Sequence, residues 1–154
     1  MTPEEKRPLL KEEYFYLQGV VEKFDDKSLQ IKGWSVTACL VGAAGATIAK
    51  EVSVEARVLV YWLCCFGALC FWWIDAGWKH FQRSYYPRIV AIEKSFADKD
   101  PAGDSIAPLQ VTHAFFGGAE PPQRSSVLRS ALMPHVLLPH LVIAILCAGL
   151  ALWR

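Results

Sequence analysis

Residues 10–50, LKEEYFYLQGVVEKFDDKSLQIKGWSVTACLVGAAGATIAK, decide the fold. Leu10, Tyr14, Leu17, Val21, Phe24, Ser28 and Ile31 recur at alternating steps of four and three, and the register continues through Ser35, Ala38, Gly42, Gly45 and Ala49. This is a heptad a/d pattern, the seam of packed helices. Its bulky members fall where the chain is charged and its small members where the chain turns apolar. Large apolar side chains drive association in water, whereas lipid offers no such force and rewards close backbone approach. The stretch therefore predicts one long helix that leaves water for membrane and packs at both depths.

Outward from that stretch, three hydrophobic segments appear: Trp34 to Ala49, Val58 to Ile74 (extendable to Trp78), and about Ala131 to Trp153. A membrane helix needs about 20 apolar residues. The first segment is short and rich in Ala and Gly, and inserts best as a hairpin with the second. The third is long enough despite Pro134 and Pro139. The fold expected is an all-α integral membrane protein: a long antiparallel helical hairpin with a cytoplasmic stalk, plus a third transmembrane helix. The boundaries are a flexible N-terminus over 1–9, the hairpin over 10–97 (stalk 10–32, spans 33–50 and 57–78, stalk 79–97), an irregular cytoplasmic linker over 98–128, and a third span over 129–154.

The returning stalk rests on Trp78, Phe81, Tyr85, Ile89, Ile92 and Phe96, again at three- and four-residue steps. Matched with Leu10 to Ile31, it predicts a hairpin roughly 60 to 70 Å long at 1.5 Å per residue. Pro87 predicts a bend or a break near Tyr86. DKDPAGDS ends the helix after Phe96, and LQVTHAFF has partial alternation that suits a short strand or a strip on the membrane surface.

Charge sets orientation. Lys23, Lys27 and Lys32 precede the first segment, Lys79, Arg83 and Arg88 follow the second, and Arg124 and Arg129 precede the third. Only Lys50 and Arg57 lie in the short connection between the first two. The positive-inside rule places the N-terminus and 79–130 in the cytoplasm and the C-terminus outside. Trp34, Trp72, Trp73 and Trp78 then form the inner aromatic belt, and Tyr61, Trp62 and Trp153 the outer one. The start, MTPEEKRPLL, does not read as a signal peptide. Net charge +1 argues against nucleic acid.

The residues that carry function on this reading are few. Ser35, Ala38, Gly42, Gly45, Ala46 and Ala49 form a small-xxx-small face that serves either the hairpin itself or contact between protomers. The stalk interface comprises Leu10, Tyr14, Leu17, Val21, Phe24, Ile31, Phe81, Tyr85, Ile89 and Ile92. Asp75, in FWWIDAGWK, is an ionisable group at the edge of a span and hence a candidate pore or gate residue. It pairs with Lys79 one turn on, or, if the span sits deeper, meets Lys32 or lines an oligomeric pore. His135 and His140, in MPHVLLPH, lie five residues apart and so about 140° apart on an ideal helix, unable to share one metal. They read as interfacial groups or polar helix–helix contacts. The five cysteines, Cys39, Cys64, Cys65, Cys70 and Cys147, show no CxxC spacing and read as packing residues. No cofactor, metal or catalytic constellation is expected.

Three strings carry a family resemblance: EEYFYLQ, KSLQIKGWSVT and WWIDAGWKHFQRSYYPRI. Over about residues 10–97 the chain resembles the small bacterial two-helix membrane effectors of nucleotide-signalling defence systems, the SLATT group, with a third hydrophobic segment added. The resemblance implies a hairpin that oligomerises and breaches the inner membrane when a sensor triggers it. The expected partners are the lipid bilayer and further copies of the chain, with a cytoplasmic protein partner possible through the stalk. The alternative is a non-catalytic accessory or scaffold subunit. A membrane redox protein built on His135 and His140 is a distant third.

Overall fold

The computed structural model describes residues 2–97, 106–112 and 126–153; these residues form helices and no strand. We number the helices α1 (Pro3–Ile48), α2 (Val54–Arg83), α3 (Tyr86–Ala97), α4 (Val127–Ala131) and α5 (Pro134–Leu152). Three stretches, Glu4–Ile48, Val54–Ala97 and Pro134–Leu152, are long and apolar enough to cross a membrane. The chain divides into two compact units, one of Met1–Asp25 with His80–Arg124, the other of Asp26–Lys79 with Ser125–Arg154.

Helix α1 begins well ahead of Leu10, so most of the expected flexible N-terminus is helical. The cause is a capping box in TPEE. The Thr2 hydroxyl accepts from the Glu5 amide at 3.3 Å while the Glu5 carboxylate accepts from the Thr2 amide at 2.8 Å. Pro3 opens the helix, where its missing N–H costs nothing.

In the first unit, Leu10, Leu17 and Val21 of α1 pack on Ile89 and Ile92 of α3, flanked by Tyr14, Tyr85, Ile106 and Val111. Two buried polar groups join this core. Arg88 grips Glu13 with two hydrogen bonds, Nε to Oε1 at 2.8 Å and Nη2 to Oε2 at 3.0 Å. The same pair fastens the 106–112 segment: Arg88 donates to the Ala107 carbonyl at 2.8 Å, and the Leu109 amide donates to Glu13 at 2.9 Å. Leu109 takes φ 63° there. Gln82 is also buried and donates to the Val21 carbonyl at 2.9 Å.

Helix α2 stops at Arg83 and α3 restarts at Tyr86, so Pro87 marks a break between helices. Placed in the first turn of α3, the proline costs no hydrogen bond. Ahead of the break, the inward face of α2 passes through Gln82, and Phe81, expected at the stalk interface, is 51% exposed. Of LQVTHAFF, residues 109–112 are described, with Val111 and Thr112 helical; the rest of the strand expectation, most of the 98–128 linker and His113 lie outside the described residues.

The second unit is a bundle of α1, α2 and α5. Its core is built mostly of Ala and Cys, with two larger residues: Cys39, Ala43 and Ala46 from α1, Tyr61 and Ala68 from α2, Ile143, Ala144, Cys147 and Ala151 from α5. The expected third span is two helices. Ser126 caps α4, accepting from the Arg129 amide at 3.2 Å, and Met133 turns extended before Pro134 opens α5. The 50–53 connection closes with two contacts. Ser53 caps α2 by accepting from the Ala56 amide at 3.2 Å, and Arg57 donates to the Ala49 carbonyl at 3.2 Å.

The inward face of α1 corrects the seam. Leu10, Leu17, Val21, Ser28, Ile31 and Ser35 are buried as the heptad requires, but Ala38 and Gly45 face outward, and Cys39, Ala43 and Ala46 are buried in their place. A 3.5-residue repeat drifts about 20° per heptad against a straight helix, so four heptads displace it by nearly one residue. The observed shift is one residue.

Candidate functional site

In the bundle, three helices contribute to a buried polar cluster. Asp75 of α2, Ser35 of α1 and His140 of α5 are each 0% exposed, and Ser28 of α1 is buried beside them. The Ser28 hydroxyl donates to Asp75 Oδ1. Lys32, one turn along α1, places Nζ 2.9 Å from Asp75 Oδ2 and also donates to the Ser28 hydroxyl. His140 Nδ1 shares a 2.9 Å hydrogen bond with the Ser35 hydroxyl, while its Nε2 stands 3.6 Å from Asp75 Oδ2. That Nε2 has no hydrogen-bond partner.

Helical spacing explains the convergence. Ser28, Lys32 and Ser35, at steps of four and three, lie along one face of α1. His140, one turn and a half into α5, meets them there. A carboxylate at this depth is costly unless paired and hydrogen-bonded; Asp75 Oδ1 accepts from Ser28 and Oδ2 is ion-paired with Lys32 without a hydrogen bond of its own. Its partner is Lys32 of the neighbouring helix, in place of Lys79, which lies half-buried one turn on. The carboxylate points inward between α1 and α5, away from its own helix's next turn.

Ser35, His140 and Asp75 together have the residue types of a nucleophile, base and acid. Their arrangement does not suit acyl transfer. Ser35 is fully buried, so no substrate carbonyl reaches it, and it sits inside α1, where helical bonds occupy the amides that an oxyanion would need. Asp75 neutralises Lys32. The chemistry on offer is electrostatic: one carboxylate, one ammonium and one imidazole joining three helices. Among the described residues, no group of three or more His, Cys, Asp or Glu is placed to hold a metal ion. His135 is exposed while His140 is buried, as the five-residue step requires.

The small-residue face divides. A Cβ added at Gly42 would lie 2.9 Å from Cys64 Sγ of α2, so Gly42 permits close approach inside the bundle. Ser35 and Ala46 are buried there too and Ala49 is half-buried, whereas Ala38 and Gly45 face outward. A Cβ at Gly45 would meet nothing within 4 Å. Of the aromatic belt, Trp34, Trp62, Trp73, Trp78 and Trp153 are exposed, and half-buried Trp72 donates to the Ala131 carbonyl at 3.0 Å. Tyr61 leaves the belt. It is 4% exposed, its ring is in the core, and its hydroxyl lies 2.9 Å from that of Thr47. Tyr61 falls on the α2 face turned to α1, and Trp62, one residue on, faces outward. Of the stalk set, Leu10, Leu17, Val21, Ile89 and Ile92 are buried and Tyr14, Phe24 and Tyr85 half-buried; buried Ile31 belongs to the bundle instead.

Sequence reasoning found Asp75 and gave a polar helix–helix contact as one reading of His140, but missed the polar roles of Ser28 and Ser35. The signal was present: two serines on an otherwise apolar seam and a histidine inside an apolar run mark polar contacts between spans. It also missed the Glu13–Arg88 pair. No family model, curated protein or solved structure matches the chain.

Proposed function

We propose that this chain is a three-span integral membrane protein that acts by homo-oligomeric assembly rather than catalysis, as a channel-like or membrane-disrupting effector. On this reading it sits in a bacterial inner membrane, with its N-terminus in the cytoplasm and its C-terminus outside. One observation carries it: the apolar windows of the three candidate spans keep most of their residues outward, with only 28%, 17% and 33% buried. Apolar surface on that scale needs lipid or protein against it. Outward Ala38 and Gly45 leave α1 a face along which a second copy can approach closely. The resemblance to the SLATT group points the same way. Asp75 is paired to Lys32 inside one chain, so on this reading it reaches a pore mouth only when that pair separates.

Counting subunits in detergent by light scattering that separates protein from detergent mass tests this reading. A discrete oligomer that Gly45→Leu dissociates supports it. A monodisperse monomer refutes it in favour of a second reading, an accessory subunit that holds a partner through its first unit. That alternative draws on the pairing of Asp75 with Lys32 and the Gly42 contact, both made within a single chain. Such a subunit is harmless when overexpressed, and Leu17→Asp releases its partner; an effector is toxic.

A further inference from the structure

We infer that the Lys32–Asp75–His140 cluster is a conformational latch of the bundle, closed in this structure and opened by withdrawal of Lys32. The inference rests on the membrane-spanning reading above and adds its regulation. Three observations lead to it.

The core that α1, α2 and α5 share is largely Ala and Cys, and lipid supplies no hydrophobic drive to press such helices together. At the cluster, closure depends instead on polar contacts from all three helices. A buried ion pair is also a poor permanent brace. Apolar residues of like volume commonly hold as well or better, whereas loss of one partner is severely destabilising. That asymmetry suits a device with two states. Finally, the cluster has one handle. Lys32 keeps 16% of its side chain exposed while Asp75 and His140 keep none. A lysine at a bundle edge can turn its ammonium outward along its own stem. Asp75 has no such route, and His140, with Nδ1 on Ser35 and Nε2 beyond hydrogen-bond reach at 3.6 Å, does not replace the lost cation. A carboxylate left with only the Ser28 hydroxyl must gain a proton or draw in water, and the latch is the second course, in which the water parts α1 from α2 and α5.

Thiol labelling of the full chain in liposomes with a membrane-permeant maleimide, read site by site by mass spectrometry, tests the latch. Cys39 and Cys147 are 3% and 0% exposed, and Cys70 is exposed on α2 as an internal reference. Lys32→Met should accelerate labelling of Cys39 and Cys147 on the order of tenfold or more, because it strands a buried charge. Asp75→Asn should do so less, because Lys32 can swing out. Lys32→Met/Asp75→Asn, with no charge left unpaired, should return both sites toward the wild-type rate, with Cys70 unchanged throughout. Wild-type labelling in both single variants overturns the latch, as does a double variant labelled as fast as Lys32→Met. Should a single variant fail to fold, the double variant and the exchanged pair Lys32→Asp/Asp75→Lys must still label at the wild-type rate, and faster labelling overturns the proposal. Dye efflux from the same liposomes separates the two readings. Accelerated labelling without efflux keeps the latch and removes the channel, whereas unchanged labelling removes the latch whatever the efflux.

Discussion

Gly42 and Gly45, three residues apart on α1, should respond oppositely to the same substitution. Either change to alanine gains about 1 kcal/mol of helix propensity. At Gly45 the new methyl group meets nothing within 4 Å, so the gain stands. At Gly42 the methyl carbon falls 2.9 Å from Cys64 Sγ, about 0.6 to 1 Å inside ordinary contact. Overpacking of that kind costs about 1 to 3 kcal/mol. The propensity gain is common to both variants and cancels, so Gly42→Ala should be less stable than Gly45→Ala by about 1 to 3 kcal/mol. Reversible unfolding in mixed micelles, followed through the six tryptophans, measures the difference. The clash is with one atom, so Cys64→Ala should abolish the difference in a double-mutant cycle. Equal stability of the two alanine variants, or a difference that survives Cys64→Ala, would refute the close approach of α1 and α2 at this point.

Three more outcomes are expected. Arg88→Met strands the buried Glu13 carboxylate, which keeps only the Leu109 amide as donor, and leaves the Ala107 carbonyl without its partner. It should destabilise the first unit by about 3 to 5 kcal/mol and open the 106–112 segment to limited proteolysis, whereas an unchanged digestion pattern would contradict the clamp. Leu109→Gly relieves a left-handed conformation worth about 1 to 2 kcal/mol and surrenders a side chain that is 76% exposed; thermal unfolding should show no loss of stability and up to about 1 kcal/mol of gain once glycine's greater freedom in the unfolded chain is counted. Trp72→Phe removes the donor to the Ala131 carbonyl and should cost about 0.5 to 1.5 kcal/mol, detectable in the same unfolding assay.

Much of this architecture was legible because apolar runs, their flanking charges and the steps of three and four are local properties of the chain. Tertiary detail was not. The seam read from Leu10 onward fails at Ala38 because small errors in helical period accumulate, and only the packed bundle shows which of Ala38 and Cys39 faces inward. Asp75 stood out as a lone carboxylate beside a hydrophobic run, yet Lys79 and Lys32 were both within its reach by spacing. The choice depended on where α1 lies against α2. His140 and Ser35, separated by 105 positions, have no sequence relation that would pair them. Glu13 and Arg88, separated by 75 positions, likewise have no local pattern that would pair them. The capping box at Thr2 is local to TPEE and legible there, and it makes helical most of the stretch expected to be a flexible N-terminus.

Helix α5 has 19 residues and so a length of about 28 Å, close to the roughly 30 Å hydrocarbon thickness of an average bilayer. Pro134 starts it and Trp153 turns extended after Leu152, so the helical stretch itself matches that thickness. Across a membrane it would act as a ruler. In a bilayer only a few ångströms thicker, the lipid around α5 must thin or the helix must stand fully upright, at a cost of fractions of a kcal/mol per ångström. For a chain inserted in a bilayer, that sensitivity would favour thinner membranes and make lipid chain length bear on how α5 is held.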